Sequence, residues 1–290
     1  MSAKFIFFLA VALIFYFSIH ILFYLATVYF FSIDNQLIKN ILLILFGLLS
    51  LGFIFSAIMA RFSDAMLVKI YYTISAFWLG WVVYLLIGLI LAWLLTWFLN
   101  VFGIDFRLAA GSLLIVSTLA LCFYGIWKAD NPELKNIEVK IKDLPPAWQG
   151  KTVIQLSDLH IGDINGQSFV NYIIKQVNAL QPEAIFITGD LFDGMDGIHE
   201  SYIATLENLS AKKGIYFITG NHETYLGSAK IIESLRQSKI RVLDNEFVNI
   251  DGLQIVGLSY PEPSKRVVSE NIINELVGYD RNLATILLYH

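Results

Sequence analysis

The first 127 residues hold four long runs without a charged side chain, Phe5–Ile33, Asn40–Ala60, Ile70–Ile104 and Leu108–Trp127. A bilayer core needs ~20 apolar residues in helical form, so each run is long enough to cross one. A soluble core helix is rarely apolar on every face, and four in succession point to a multi-pass membrane region of four helices. The third run exceeds one crossing, which tilt or an interfacial extension accommodates. Its Trp78, Trp81, Trp93 and Trp97 supply candidates for an interfacial aromatic belt. The first run is too long for the ~7–15-residue core of a signal peptide and lacks a small-x-small cleavage pattern after it, so it reads as an anchor.

Composition divides at the same place. Residues 1–127 carry five Lys/Arg and three Asp, a net of +2, whereas residues 128–290 carry 15 Lys/Arg and 21 Asp/Glu, a net of −6. Four crossings return the chain to its starting side. That side carries Lys4, Arg61, Lys69, Lys128, Lys135, Lys140 and Lys142, against Lys39 and Arg107 on the other. The positive-inside rule then places both the N-terminus and residues 128–290 in the cytoplasm, at the inner or plasma membrane of a bacterium. Transporters place ionisable groups at mid-membrane, but the runs offer only His20, Asn100 and scattered Ser/Thr. His20 is expected to be hydrogen-bonded between helices, and the sole cysteine, Cys122, to be a small buried hydrophobe. The bundle reads as an anchor or platform.

Residues 128–150 turn polar and contain Asn131-Pro132 and Pro145-Pro146, a linker in which Ile and Val alternate with charges to suggest an edge strand around Ile137–Ile141. A repeated unit occupies residues 151–290. Thr152–Leu156 is a short β-branched run ending in Ser157-Asp158-Leu159-His160. Ala184–Thr188 ends in Gly189-Asp190, and Ile215–Thr219 in Gly220-Asn221-His222-Glu223. Gln167–Leu180, Glu200–Leu209 and Ser228–Gln237 show helical periodicity between or after them. Alternating strand and helix implies right-handed crossovers and a mostly parallel sheet, with all three motifs at the carboxyl edge where such sheets bind ligands. Leu253–Leu258 and Thr285–Tyr289 read as later strands of a second sheet packed on the first, the last running into His290.

Carboxylate, imidazole and amide oxygen together suit manganese, iron or zinc. Asp190 has two oxygens and can bridge two ions, and Asn221 binds without adding negative charge. Two ions ~3.5–4 Å apart clamp a phosphoryl group and acidify a water. His222 could donate a proton to a leaving oxygen. Each motif alone is an ordinary turn or cap, with Gly for positive φ and Asp or Asn before a helix. Three in this order at successive strand ends are distinctive.

Asp158-x-His160, Gly189-Asp190 and Gly220-Asn221-His222-Glu223 resemble the calcineurin-like metallophosphoesterase superfamily. The segments SDLHIG, TGDLFDG and LLYH resemble its bacterial membrane-associated branch, which includes enzymes similar to UDP-2,3-diacylglucosamine pyrophosphatases. The resemblance covers about residues 137–290. It implies an αββα sandwich with a dinuclear centre, one ion on Asp158, His160 and Asp190, the other on Asp190, Asn221 and His290, with His222 as acid or transition-state stabiliser. Manganese is the foremost metal. The family continues to a Gly-His-x-His motif that gives each ion another histidine, and the sequence stops before it. That departure leads to the expectation of an incomplete domain with weak metal retention and little activity.

Lower expectations attach to Asp193 as a residue behind the ligands or a cap, to Asp163 and Asn165 as turn residues, and to His199 as solvated. Glu223 is expected to favour the following helix, and Lys212-Lys213 and Lys265-Arg266 to be solvated pairs. The function expected is hydrolysis of a phosphoester or pyrophosphate, on a phosphorylated small molecule, lipid-linked or UDP-sugar substrate. Nucleic acid is not expected, given the net acidic charge. The alternative is a non-catalytic membrane protein whose phosphoesterase-like domain binds a ligand or partner.

Overall fold

A computed structural model describes residues 3–63, 65–193, 200–261 and 269–290. The chain forms two compact units, Met1–Leu134 and Lys135–His290.

The first unit is four helices, α1 (Ala3–Phe30), α2 (Gln36–Ala60), α3 (Met66–Val101) and α4 (Arg107–Asp130). All four are long and apolar enough to cross a membrane. Asn35 caps α2, its side-chain oxygen accepting the N–H of Leu37 at 2.9 Å and of Ile38 at 3.3 Å. The long third run is one continuous helix of 36 residues, ~54 Å at 1.5 Å per residue and therefore longer than a ~30 Å hydrocarbon core. Phe23, Phe30, Leu85 and Leu89 form the inner seam of the bundle. Small residues let the helices close. A Cβ on Gly88 would lie 2.6 Å from Leu114 Cδ1, and one on Gly111 2.8 Å from Phe30 Cβ.

Polar links between helices are few and specific. The Trp78 indole donates to His20 Nε2 at 3.1 Å, while His20 Nδ1 donates to the Tyr16 carbonyl at 2.9 Å. His20 is thus held between helices as expected, through a tryptophan that its own sequence neighbourhood does not reveal. The Trp81 indole donates to Thr118 Oγ1 at 2.9 Å. Cys122 is buried, also as expected.

In the second unit β1 (Val153–Leu156), α5 (Gln167–Ala179), β2 (Ala184–Thr188), α6 (Glu200–Leu206) and β3 (Ile215–Ile218) follow the expected alternation. Two short helices, α7 (Asn221–Leu226) and α8 (Ser228–Arg236), lead to β4 (Ile240–Val242). The four strands pair in parallel in the order β1-β2-β3-β4. A second sheet holds β5 (Glu246–Ile250), antiparallel to β6 (Leu253–Gly257). After α9 (Ser269–Glu275), β7 (Thr285–Leu288) pairs parallel with β6.

Strand alternation decides the layers. Ile185, Ile187, Ile215 and Phe217 face the helices, packing with Val170, Ile174, Leu206 and Leu235. Their neighbours Ala184, Phe186, Tyr216 and Ile218 face the other way, onto Val248, Leu253, Ile255 and Leu288 of the second sheet. Strands buried on both faces read as continuous apolar runs, which is why IFIT and IYFI carry no polar alternation. Each fully buried Ile contributes ~1.5–3 kcal/mol. The sheets approach so closely that a Cβ on Gly257 would stand 2.8 Å from Ile218 Cγ2.

The edge strand expected around Ile137–Ile141 does not form. Those residues pair with neither sheet, and Ile137 and Val139 are 78% and 67% exposed. Alternation supplies only a preference for extended backbone, whereas a strand needs a ladder partner. Ile141 of this stretch packs against the core between the sheets, as do Leu144 and Trp148 after it.

Candidate metal centre

The loops after β1 and β2 are zipped together by backbone. Asp158 N–H donates to Gly189 O at 3.2 Å, His160 N–H to Asp190 O at 3.0 Å and Ile161 N–H to Leu191 O at 2.8 Å. Asp158, His160 and Asp190 all occupy left-handed backbone, with φ of 56°, 43° and 50°. Such a conformation costs a non-glycine residue of order 1–3 kcal/mol and persists only where the surroundings enforce it. Three instances at adjacent strand ends turn these side chains toward one point.

Asp190 is the hub and is 4% exposed. Its Oδ1 accepts the backbone N–H of His222 at 2.9 Å. Its Oδ2 faces three imidazole nitrogens, His290 Nε2 at 3.4 Å, His160 Nε2 at 3.9 Å and His222 Nε2 at 4.0 Å. These separations exceed an ordinary hydrogen bond. They match ligands that share a cation, each ~2.0–2.2 Å from it.

His290 provides the sharpest test of fit. Its Nδ1 lies 2.8 Å from the Thr188 carbonyl oxygen, an acceptor, so Nδ1 carries a proton, and Nε2 is the nitrogen turned to the centre. That nitrogen meets Asn221 Oδ1 at 3.2 Å and Asp190 Oδ2 at 3.4 Å. With its lone pair on Nε2, the ring would join two oxygens as a third acceptor, an arrangement that a cation reconciles. Gly189 makes the approach possible. Its φ is +89°, and a Cβ there would lie 2.8 Å from both His290 Nδ1 and Gly220 N.

His222 is fixed similarly, Nδ1 donating to the Asp193 carbonyl, which turns Nε2 to the centre. Its ring meets that of His160 edge-on, with centroids 4.4 Å apart. His160 Nδ1 is a buried atom without a hydrogen-bond partner. Asp158 is exposed and accepts from the Ser157 hydroxyl. Two triads could each hold a metal ion, His160–Asp190–His222 and Asp158–Asp190–His290, with the donor atoms of each within 4.8 Å of one another. This grouping shares Asp190, as the resemblance implies, but pairs Asp158 with His290 and brings His222 beside His160. All six expected site residues lie in this one cluster or bond directly to it.

Other residues take definite places. Asp193 is partly buried, its Oδ1 4.0 Å from His160 Nδ1. Burial pushes its carboxyl up from the usual range, while His160 and His222 pull it down. Asn165 Nδ2 donates to Leu159 O at 2.9 Å and closes a turn. Lys213 bonds Asp251 and lies 3.7 Å from Glu183, as does Lys212, so this pair belongs to an ion network rather than to bare solvent. His199 and Lys265-Arg266 fall outside the described residues.

The residue most misjudged from sequence is Glu223. It is 0% exposed, and its carboxylate accepts the backbone N–H groups of Gly220 at 2.7 Å, Asp190 at 2.9 Å and Phe192 at 3.1 Å. It does more than favour α7, because it binds the second motif loop to the third. Its position three residues after Gly220 is the signal that was available, an acidic side chain reaching back to the helix N-terminus.

Carboxylate, imidazole and amide donors thus converge beyond the strand ends of a parallel sheet, a donor set suited to divalent metal ions. Residues 151–283 match the family model for calcineurin-like phosphoesterases. An uncharacterized metallophosphoesterase of Helicobacter pylori is 32% identical over 160 residues, covering 55% of this chain and 42% of that protein. A transmembrane protein with a metallophosphoesterase domain from Bos taurus is 32% identical over 141 residues, covering 48% and 32%. Its counterpart in Danio rerio is 30% identical over 174 residues, covering 54% and 39%. The matched segment spans less than half the length of each of these relatives.

Proposed function

We propose that this chain is a membrane-anchored hydrolase of phosphoesters or pyrophosphates that works through two divalent ions. The observation that carries the reading is the meeting of His290 Nε2, Asn221 Oδ1 and Asp190 Oδ2 at 3.2–3.4 Å. Asp158, His160, Asp190, Asn221 and His290 would hold the two ions, with Asp190 shared between them, manganese foremost with iron or zinc as alternatives. Bound there, such ions supply positive charge to phosphoryl oxygens and acidify the attacking water.

The chain's own groups do the rest. Asn221 contributes an oxygen without charge, which keeps the centre from repelling an anionic substrate. His222, its Nδ1–H held by the Asp193 carbonyl, presents Nε2 to the centre, where a proton can pass to the leaving oxygen. Glu223 holds the two loops so that Asp190 need not reorganise during reaction. The four helices keep the domain at a bilayer, favouring a phosphorylated lipid or UDP-sugar lipid as substrate. The excess of Lys and Arg at the N-terminus, in the α2–α3 turn and after α4 favours a cytoplasmic domain at a bacterial inner membrane.

The test uses purified full-length protein in detergent, stripped with chelator. Addition of manganese is expected to restore hydrolysis of bis(p-nitrophenyl) phosphate. Failure of manganese, iron and zinc to elicit any turnover would contradict the enzymatic reading and favour a ligand-binding role.

A further inference from the structure

The membrane unit contains a polar cavity that the anchoring role does not use. It lies where the ends of α1 and α3 meet the start of α4, has a volume of ≈ 230 Å³, and is lined by Tyr29, Thr96, Asn100, Asp105 and Arg107 among others. Arg107 and Asp105 form a two-point pair, Nε to Oδ1 at 3.0 Å and Nη2 to Oδ2 at 2.8 Å. This pairing leaves Nη1 without a hydrogen bond among the described residues. The guanidinium also stands 5.7 Å from the centre of the Tyr29 ring.

The second observation is Thr96. It is 3% exposed, and its hydroxyl has no hydrogen-bond partner among the described residues. Helical threonines ordinarily satisfy themselves on the carbonyl four residues back. In this bundle Thr27 does so to Phe23 at 2.8 Å, Thr73 to Lys69 at 2.9 Å and Thr118 to Leu114 at 2.7 Å. Thr96 alone forgoes that bond while lining the cavity. A buried hydroxyl left unpaired costs ~1–3 kcal/mol, so a ligand that accepts from it is favoured.

We infer that this cavity binds the phosphoethanolamine headgroup of a phospholipid. Thr96 Oγ1, Asn100 Nδ2 and Arg107 Nη1 are three donors for phosphate oxygens, and Asp105 offers an anion to the ammonium. A paired Arg and Asp give the site no net charge, which suits a zwitterion better than an anionic lipid. The volume equals about eight waters at ~30 Å³ each, enough for a headgroup of about eight non-hydrogen atoms. The loop between two spans is also where headgroups lie. This inference is independent of the phosphoesterase reading.

Native mass spectrometry of the full chain in detergent tests it, with dioleoyl phosphatidylethanolamine, dioleoyl phosphatidylglycerol and inorganic phosphate as separate probes. Wild type is expected to retain one phosphatidylethanolamine at least ~5-fold more strongly than phosphatidylglycerol, a preference of the size of a typical coupling. Thr96→Val and Arg107→Gln are expected to lose that retention, and Thr96→Ser to keep it. Lipid-free Thr96→Val is expected to melt no lower than wild type, because it removes an unsatisfied hydroxyl and leaves the fold intact. Equal retention by Thr96→Val, equal or stronger retention of phosphatidylglycerol, or binding of inorganic phosphate with no lipid retained would each overturn the inference.

Discussion

Glu223 Oε2 accepts the backbone N–H of Asp190 at 2.9 Å, so a buried carboxylate holds the hub of the metal centre by its main chain. The same oxygen accepts from Gly220 at 2.7 Å, and Asp190 Oδ1 returns the link by accepting from His222 N–H. Two loops are thereby fixed around one side chain before any ligand arrives.

Replacing Glu223 by Gln tests that role. An amide has one acceptor oxygen, and its NH₂ would face a backbone N–H that is left without an acceptor. Loss of charge-assisted bonds to buried donors is expected to cost ~2–4 kcal/mol. Thermal unfolding followed by near-ultraviolet circular dichroism should show a transition several degrees lower. An unchanged transition would mean that the carboxylate does not hold these loops.

Gly189→Ala is expected to weaken metal binding ~10–100-fold, the range seen when groups supporting a ligand are disturbed. The added methyl meets Gly220 and the His290 ring at 2.8 Å and sits on a backbone with φ +89°. Isothermal titration with manganese reads the effect. Affinity equal to wild type would show that His290 tolerates displacement.

In the membrane unit, Trp78→Phe removes the donor to His20 Nε2 while keeping an aromatic ring. Interhelical bonds of this kind are worth ~0.6–2 kcal/mol. The detergent-solubilised protein should melt slightly lower, with manganese affinity unaltered. A change in manganese affinity would show that the bundle acts on the centre.

Much of this architecture was legible because its signals are local. The echo of IFITGD and YFITGN placed two strand ends and their ligands, since a strand buried on both faces and the turn after it are written in adjacent residues. What was not legible depended on partners distant in the chain. Ile137–Ile141 has the right alternation and no ladder. Ile240–Val242 is a strand of three residues that exists because Phe217 and its neighbours stand beside it. Glu223 looks like a residue that merely favours a helix until Asp190, 33 positions away, is seen donating to it. Trp78 and His20 are likewise 58 residues apart. The pairing of Asp158 with His290, and of His222 with His160, arises from how four loops fold over one edge, which no single motif encodes.

The most direct test of the dinuclear hydrolase is the manganese content and turnover of the full-length protein beside its Asp190→Asn variant. At saturating manganese the wild type is expected to take up two weakly held ions per chain and to hydrolyse bis(p-nitrophenyl) phosphate slowly. Asp190→Asn removes the charge shared by both triads and is expected to retain one ion or none, with turnover lowered by at least ~10²-fold. Two tightly held ions and undiminished turnover in Asp190→Asn would contradict a centre built around this carboxylate.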